Sequence, residues 1–189
     1  MTATKTTPRL QPLEPPYPDD VGETLKRMVP PGLDPIILFR TLAHHPVLLD
    51  KLRTTGAYLL NHGAIDPIDR EILIDRTTAN RGSEYEWGVH VALFANAVGL
   101  TEEQVASTVL GGPDDACWNG RQALLIRLCD EICETNSVSD GLWAQLSEHY
   151  TPLQLIECVT LVGQYTYISY LTNALRLDLE DYGARFPTA

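Results

Sequence analysis

Glu86 and His90 stand four residues apart in the run Gly82-Ser83-Glu84-Tyr85-Glu86-Trp87-Gly88-Val89-His90, and Glu71 lies 12 residues before Ser83. On a helix, a spacing of four puts a carboxylate and an imidazole one turn apart on the same face. Leu93 and Ala97 continue that face and are apolar, so it is expected to point inward. A polar group buried without a partner costs roughly 2–7 kcal/mol, so Glu71, Glu86 and His90 are expected to satisfy one another. Either carboxylate raises the pKa of the imidazole, and close like charges raise that of one carboxyl. Such a set can hold and pass one proton near neutral pH. Ser83 adds a hydroxyl at a helix N-terminus, where free backbone N–H groups favour an anion. Tyr85 adds a phenol and Trp87 a flat wall. The same residues also admit a structural reading, with Ser83 and Glu86 as a reciprocal cap and His90 as a core histidine bonded to Glu71 or a carbonyl.

The helix before this one carries Glu71, Asp75 and Thr78 on one face, with Arg76 beside them and Asn80 at its end. That polar stripe reads either as a hydrogen-bonded subunit contact or as a pocket wall suited to a hydroxylated or carbonyl-bearing ligand. A metal at Glu86 and His90 would need a third and fourth ligand. His44, His45, His62 and His149 offer no completion, so neither a metal nor a cofactor is expected. Cys117, Cys129, Cys133 and Cys158 show no C-x-x-C and no metal-ligand rhythm, and are expected to be reduced and mostly buried.

The elements that must hold these residues are helical. Asp66-Pro67-Ile68-Asp69 has the form of a helix start, with an N-cap acid and proline at the first helical position, and that helix is expected to run to Asn80. Ser83-x-x-Glu86 has the capping-box form and opens a helix through Val98, which Gly99 ends. Apolar spacing predicts further helices over 36–43, 47–60, 101–110, 120–135, 140–149 and 151–176, and the β-branched alternation of strands is missing. The body is therefore expected to be all-α, with seven or eight helices. Phe94-Ala95-Asn96-Ala97-Val98-Gly99-Leu100 echoes Leu171-Thr172-Asn173-Ala174-Leu175-Arg176-Leu177, each at a helix end. Two related halves about a pseudo-twofold would explain the echo, and so would coincidence. Before residue 36 the chain is rich in proline; residues 1–35 are expected to form an extended arm ordered by a neighbouring subunit, with 36–180 as the domain and 181–189 as a tail.

Composition limits the function classes. The 189 residues carry 14 Lys+Arg against 25 Asp+Glu, a net charge of −11, with 44% hydrophobic residues. An apolar content of that size fits a globular chain rather than a disordered one. No basic cluster could replace the counterions of a phosphate backbone, so neither nucleic acid nor an anionic membrane is an expected partner. The start MTATKTTPRL lacks the apolar core of a secretory signal, and Glu157 and Gln164 interrupt the longest apolar stretch. A cytoplasmic location is expected.

On these residues the sequence resembles the carboxymuconolactone decarboxylase-like family, the superfamily shared with the alkylhydroperoxidase AhpD. The resemblance rests on Glu71-Ile72-Leu73-Ile74, Arg76 and Gly82 through His90. It extends to Leu38-Phe39-Arg40-Thr41-Leu42-Ala43-His44-His45-Pro46, Gly99-Leu100-Thr101 and the stretch Leu155 to Tyr165, and covers about 36–180. It implies an AhpD-like helical bundle and a homo-oligomer, trimeric or hexameric. In the AhpD branch the helix opens C-x-x-C-x-x-x-H after a relay glutamate. Here Glu71 and His90 match the relay acid and histidine, while Ser83 and Glu86 stand at the cysteine positions. Neither offers a thiolate, which argues against peroxide chemistry. The decarboxylase branch keeps the E-x-x-x-H pair and implies a cofactor-independent acid/base enzyme, a decarboxylase or isomerase, acting on a small lactone or carbonyl compound. In that reading His90 donates the proton, Glu86 and Glu71 form its relay, and Tyr85 or Arg76 binds an oxyanion or carboxylate. Decarboxylases carry an arginine two residues after the histidine, and here that residue is Ala92. The alternatives are an AhpD-like peroxidase relative that has lost its cysteines, and a non-catalytic ligand-binding protein.

Overall fold

In the computed structural model, residues 7–29 and 34–188 are described, and among them no strand occurs. Residues 1–6 and 30–33 of the expected arm, and residue 189 of the tail, lie outside the described residues. The structure is organised around α4 (Pro67–Asn80), which is covered by α5 (Glu84–His90), α7 (Glu102–Leu110), α8 (Gly120–Thr135) and α10 (Pro152–Leu175). Ile72, Leu73 and Ile74 of α4 have no exposed surface, and they pack into one apolar core with Leu125, Ile126, Leu128, Leu161 and Val162. α9 (Asp140–Ser147) closes the end of that core through Leu142 and Leu146.

The helices expected from the sequence all occur, including α2 (Ile37–Leu42) and α3 (Pro46–Asn61). Their ends have the chemistry that their residues predict. Thr101, Asn119 and Thr151 each close a reciprocal capping box with a glutamine three residues on, satisfying backbone donors that helix starts leave free. Asp66 is the exception: its side chain caps nothing and instead pairs with Arg121 at 3.2 Å.

The echoed heptapeptides end their helices in the same way. Gly99 and Arg176 both adopt left-handed conformations. Leu100 N–H reaches back to Ala95 and Leu177 N–H to Thr172, each five residues earlier, as in a Schellman ending.

The arm departs from the expectation. Residues Asp19–Lys26 form α1, because the prolines stop at Pro18 and Asp19, Asp20 and Lys26 stand at the helix ends that suit their charges. Val21 and Leu25, one turn apart, bury themselves against Ala43 and Leu49. The extended part before α1 lies on its own chain: Arg9 donates to the carbonyls of Leu175 and Ala174, and Leu13 to that of Arg40.

The C-terminal residues run back across α5. Ala184 N–H donates to Gly88 O at 3.0 Å, Phe186 N–H to Glu84 at 2.9 Å, and the Phe186 ring meets Trp87 edge-on. This approach needs a glycine at 88, since a Cβ there would overlap the Ala184 carbonyl. Gly163, in the interior of α10, has nothing within 4 Å of such an atom. Gly88→Ala is therefore expected to destabilise the fold by about 1–3 kcal/mol, whereas Gly163→Ala should stabilise it by roughly 0.5–1 kcal/mol. Urea unfolding of the two variants checks both signs.

Candidate active site

The site forms where α5 meets α4 and α10 (Pro152–Leu175) at the wall of a cavity of about 1050 Å³. His90 is buried, and its ring packs edge-on against Tyr165 at 4.9 Å and tilted against Phe94 at 5.2 Å. Nδ1 lies 2.8 Å from Glu71 Oε2, and Nε2 lies 3.6 Å from Glu86 Oε1. Glu71 has no exposed surface; its other oxygen accepts from Arg70 Nε at 2.8 Å, and Arg70 is anchored on Leu60 O. Burial opposes a charge on His90, but the carboxylates of Glu71 and Glu86 outweigh it and push the imidazole pKa up to about 10. Burial likewise opposes the charge of Glu71, yet His90 and Arg70 together bring its pKa below the ordinary value. The pair is thus an imidazolium and a carboxylate at neutral pH. Glu86 lines the cavity, and its Oε2 is buried without a partner among the described residues.

The inward face continues only in part as the spacing predicts: Leu93 lines the cavity although half exposed, Ala97 is exposed, and Val91–Ala95 form a π turn between α5 and α6 (Asn96–Val98). Phe94 and Val98, at four-residue steps from His90, carry the rest of the face. Phe94 packs on the imidazole and Val98 against the core.

Several residues expected at the site hold the fold instead. Tyr85 OH donates to Glu180 at 2.6 Å and accepts from Leu38 N–H, which ties α5 to α2 and to the C-terminal segment. Trp87 is buried and donates to Thr108 at 3.0 Å. Arg76 is fully engaged, forking onto Asp130 at 2.6 and 2.9 Å and donating to the carbonyls of Thr108 and Gly111. Ser83 accepts from Glu86 N–H at 3.4 Å and lies 2.7 Å from Thr172 Oγ1. The cap is not reciprocal, because the Glu86 carboxylate has turned to His90 and Ser83 N–H donates to Thr78 O. No open anion site remains there.

The polar stripe is neither a subunit contact nor a pocket wall. Glu71, Asp75 and Thr78 have no exposed surface because other helices enclose α4. Thr78 Oγ1 donates to backbone carbonyls one turn back, and Asn80 donates to Asp130. Both oxygens of Asp75 lack a partner among the described residues; burial, with Glu71 close by, pushes its pKa well up.

Sequence spacing also missed a residue. Tyr165, from α10, lines the cavity beside His90, and its hydroxyl makes no hydrogen bond among the described residues. Its partner is 75 positions away in the chain, and periodicity marks it only as one more apolar residue of a long helix.

No thiol stands at the cavity. Cys129 and Cys158 are buried, and burial pushes the Cys158 thiol up to about 12. Among the described residues no group of three metal-ligating side chains occurs, and no helix is long and apolar enough to cross a membrane.

Comparison with known proteins agrees with this architecture. Residues 46–126 match the carboxymuconolactone decarboxylase family. An uncharacterized peroxidase-related protein from Silicibacter sp. TM1040 superposes with a TM-score of 0.79 at 13% identity, over 99% of this chain and 100% of that one. The AhpD-core peroxidase-related protein from Ralstonia eutropha JMP134 gives 0.72 at 17% identity, over 91% and 93%. The debrominase Bmp8, solved in complex with 2,3,4-tribromopyrrole, gives 0.74 at 12% identity over 95% of each chain. No curated protein matches the sequence. The chain thus matches the carboxymuconolactone decarboxylase family over residues 46–126 and shares its helical fold with AhpD-like proteins.

Proposed function

We propose that the protein is a cofactor-independent acid/base enzyme that moves a proton on a lactone or other carbonyl compound held in the cavity. The observation that carries this reading is His90, kept charged by buried Glu71 on one ring nitrogen and facing Glu86 with the other at the cavity wall. A protonated imidazole is an acid and not a base. The base is then Glu86, whose Oε2 has no partner to give up. Glu86 takes a proton from the carbon next to the carbonyl, and the electron pair moves onto the carbonyl oxygen. His90 Nε2–H and the Tyr165 hydroxyl stabilise that oxyanion, replacing Tyr85 and Arg76 in the role expected of them. The proton then returns at the conjugated carbon, so an unconjugated lactone becomes a conjugated one with nothing gained or lost. Loss of CO₂ from a lactone acid would reach the same enolate, which His90 would then protonate. Bmp8, with its bound bromopyrrole, indicates that this fold can hold a small flat ring.

α-Angelica lactone, whose isomerisation is followed by ultraviolet absorbance, is the probe. Glu86→Gln and His90→Gln should each lower the rate at least about a hundredfold, and Tyr165→Phe about tenfold. Full activity in Glu86→Gln would sink the assignment.

The same proton occupancy makes stability pH-dependent. The folded chain binds the His90 proton more tightly than the unfolded chain, where imidazole titrates at 6.5. The contribution is complete below pH 6.5 and is lost as pH rises through about 10. Melting temperatures at constant ionic strength should fall across that window in the parent protein and stay flatter in His90→Gln.

We also infer that copies of the chain associate. Leu153, Ile156, Val159, Tyr167 and Tyr170 form an exposed apolar face along α10, more than an isolated surface helix needs. Ile156→Glu with Tyr170→Glu should reduce the mass seen by light scattering from that of a trimer or hexamer to that of one chain; an unchanged mass rejects this face as the contact.

A further inference from the structure

Gly56 sits in the interior of α3, where glycine costs roughly 0.5–1 kcal/mol relative to alanine. Nothing in the backbone or the packing requires it. Its φ is not positive, and a Cβ there would meet no described atom within 4 Å. Gly56 nevertheless lines the same cavity as Glu86 and His90, so the space it leaves open belongs to the cavity. The surrounding wall is apolar, with Leu52 and Leu60 on α3, Phe39 and Leu42 on α2, and Ile168 on α10. At about 1050 Å³ the volume is at the upper end of the range for drug-sized ligands, far beyond one small lactone ring.

The charges in the cavity point the same way. Its arginines are already engaged: Asp50 holds Arg27 and Arg53, and Glu14 holds Arg40. Asp34, Glu86 and Glu180 add negative charge to the lining. Among the described residues each cationic side chain of the lining already has a carboxylate within 4 Å, so a substrate carboxylate would compete with one that the chain supplies.

We propose that the cavity takes a neutral carbonyl compound with an extended apolar body, its reacting end at Glu86 and His90, and that Gly56 keeps the α3 wall open for that body. This rests on the acid/base reading of the site and names its substrate class. Gly56 acts on specificity and touches no reacting atom.

The test is a series of homologues of α-angelica lactone in which pentyl and then nonyl replaces methyl, together with a nonyl homologue ending in a carboxylate. Dissociation constants come from calorimetry, and isomerisation is followed in the same samples. Affinity should rise about three- to fourfold for each added methylene, and the terminal carboxylate should weaken binding. Gly56→Leu should leave the methyl compound unchanged and weaken the nonyl compound at least tenfold. Gly56→Ala, which adds one atom into open space, should keep the parent's affinities and melt higher. A rise with chain length that persists in Gly56→Leu overturns the role of Gly56. Flat affinity along the series, or tighter binding of the carboxylate, overturns the substrate class. Chain-length dependence without isomerisation would instead reject the acid/base reading, and with it the reacting end, while the apolar ligand class and the role of Gly56 would stand. Isomerisation of the methyl compound with flat affinities would do the reverse.

Discussion

The ion pair between His90 and Glu71 is the constraint around which the molecule is arranged. Both partners are buried, and at 2.8 Å they form a charge-assisted hydrogen bond. Taking two charges out of water costs several kcal/mol for each ion, and only good geometry with further hydrogen bonds offsets it. Arg70 supplies one such bond to Glu71, and its own position is fixed by the Leu60 carbonyl. On the other side of the ring, Glu86 is the second carboxylate. The carboxylates on both sides favour the charged imidazole at the cavity wall. Nδ1 is held in the core by Glu71, and Nε2 is turned toward Glu86.

Enclosing α4 makes this arrangement possible and also explains the polar stripe. A helix covered on most sides by other helices has no solvent face, so its polar residues must find partners inside or lose their charge. Glu71 finds His90 and Arg70. Thr78 bonds back to its own helix, and Arg76 forks onto Asp130. Asp75 finds no partner among the described residues, and burial next to the Glu71 carboxylate pushes its pKa well up. The π turn at Val91–Ala95 is the matching adjustment on α5. Within that turn Phe94, four residues after His90, packs on the imidazole as one of its two aromatic walls.

Most of the fold was legible in the sequence because helix starts and stops are local. Capping pairs, prolines at first helical positions and glycines at ends are read within a few residues, and the expected helices occur with ends shifted by one or two positions. The helix inside the arm was missed because a proline-rich stretch hides the eight residues that follow it, whose own pattern is amphipathic. The grouping of Glu71, Glu86 and His90 was legible for the same local reason, since two of the three lie one helical turn apart. The surroundings of the residues expected to bind substrate were not. Tyr85, Trp87, Arg76 and Ser83 have side chains able to contact a ligand, but their partners lie far along the chain, in Glu180, Thr108, Asp130 and Thr172. Periodicity cannot show that a donor is already engaged. Tyr165 is the converse case, a donor left free by its surroundings inside a helix that reads as core.

A cysteine pair at positions 83 and 86 would give this frame a different chemistry. A thiolate at position 86 beside a charged histidine would be an activated nucleophile, suited to a peroxide, while a thiol at position 83 could close a disulfide with it. A carboxylate at 86 cannot be oxidised in that way, but it can accept and return a proton, and the same imidazolium stabilises its charge. Ser83 then serves only as a cap and as a link to Thr172 on α10. In this chain the residue one turn before the histidine is Glu86, and its four cysteines lie away from the cavity, so a proton and not a thiol is what the proposed chemistry would move.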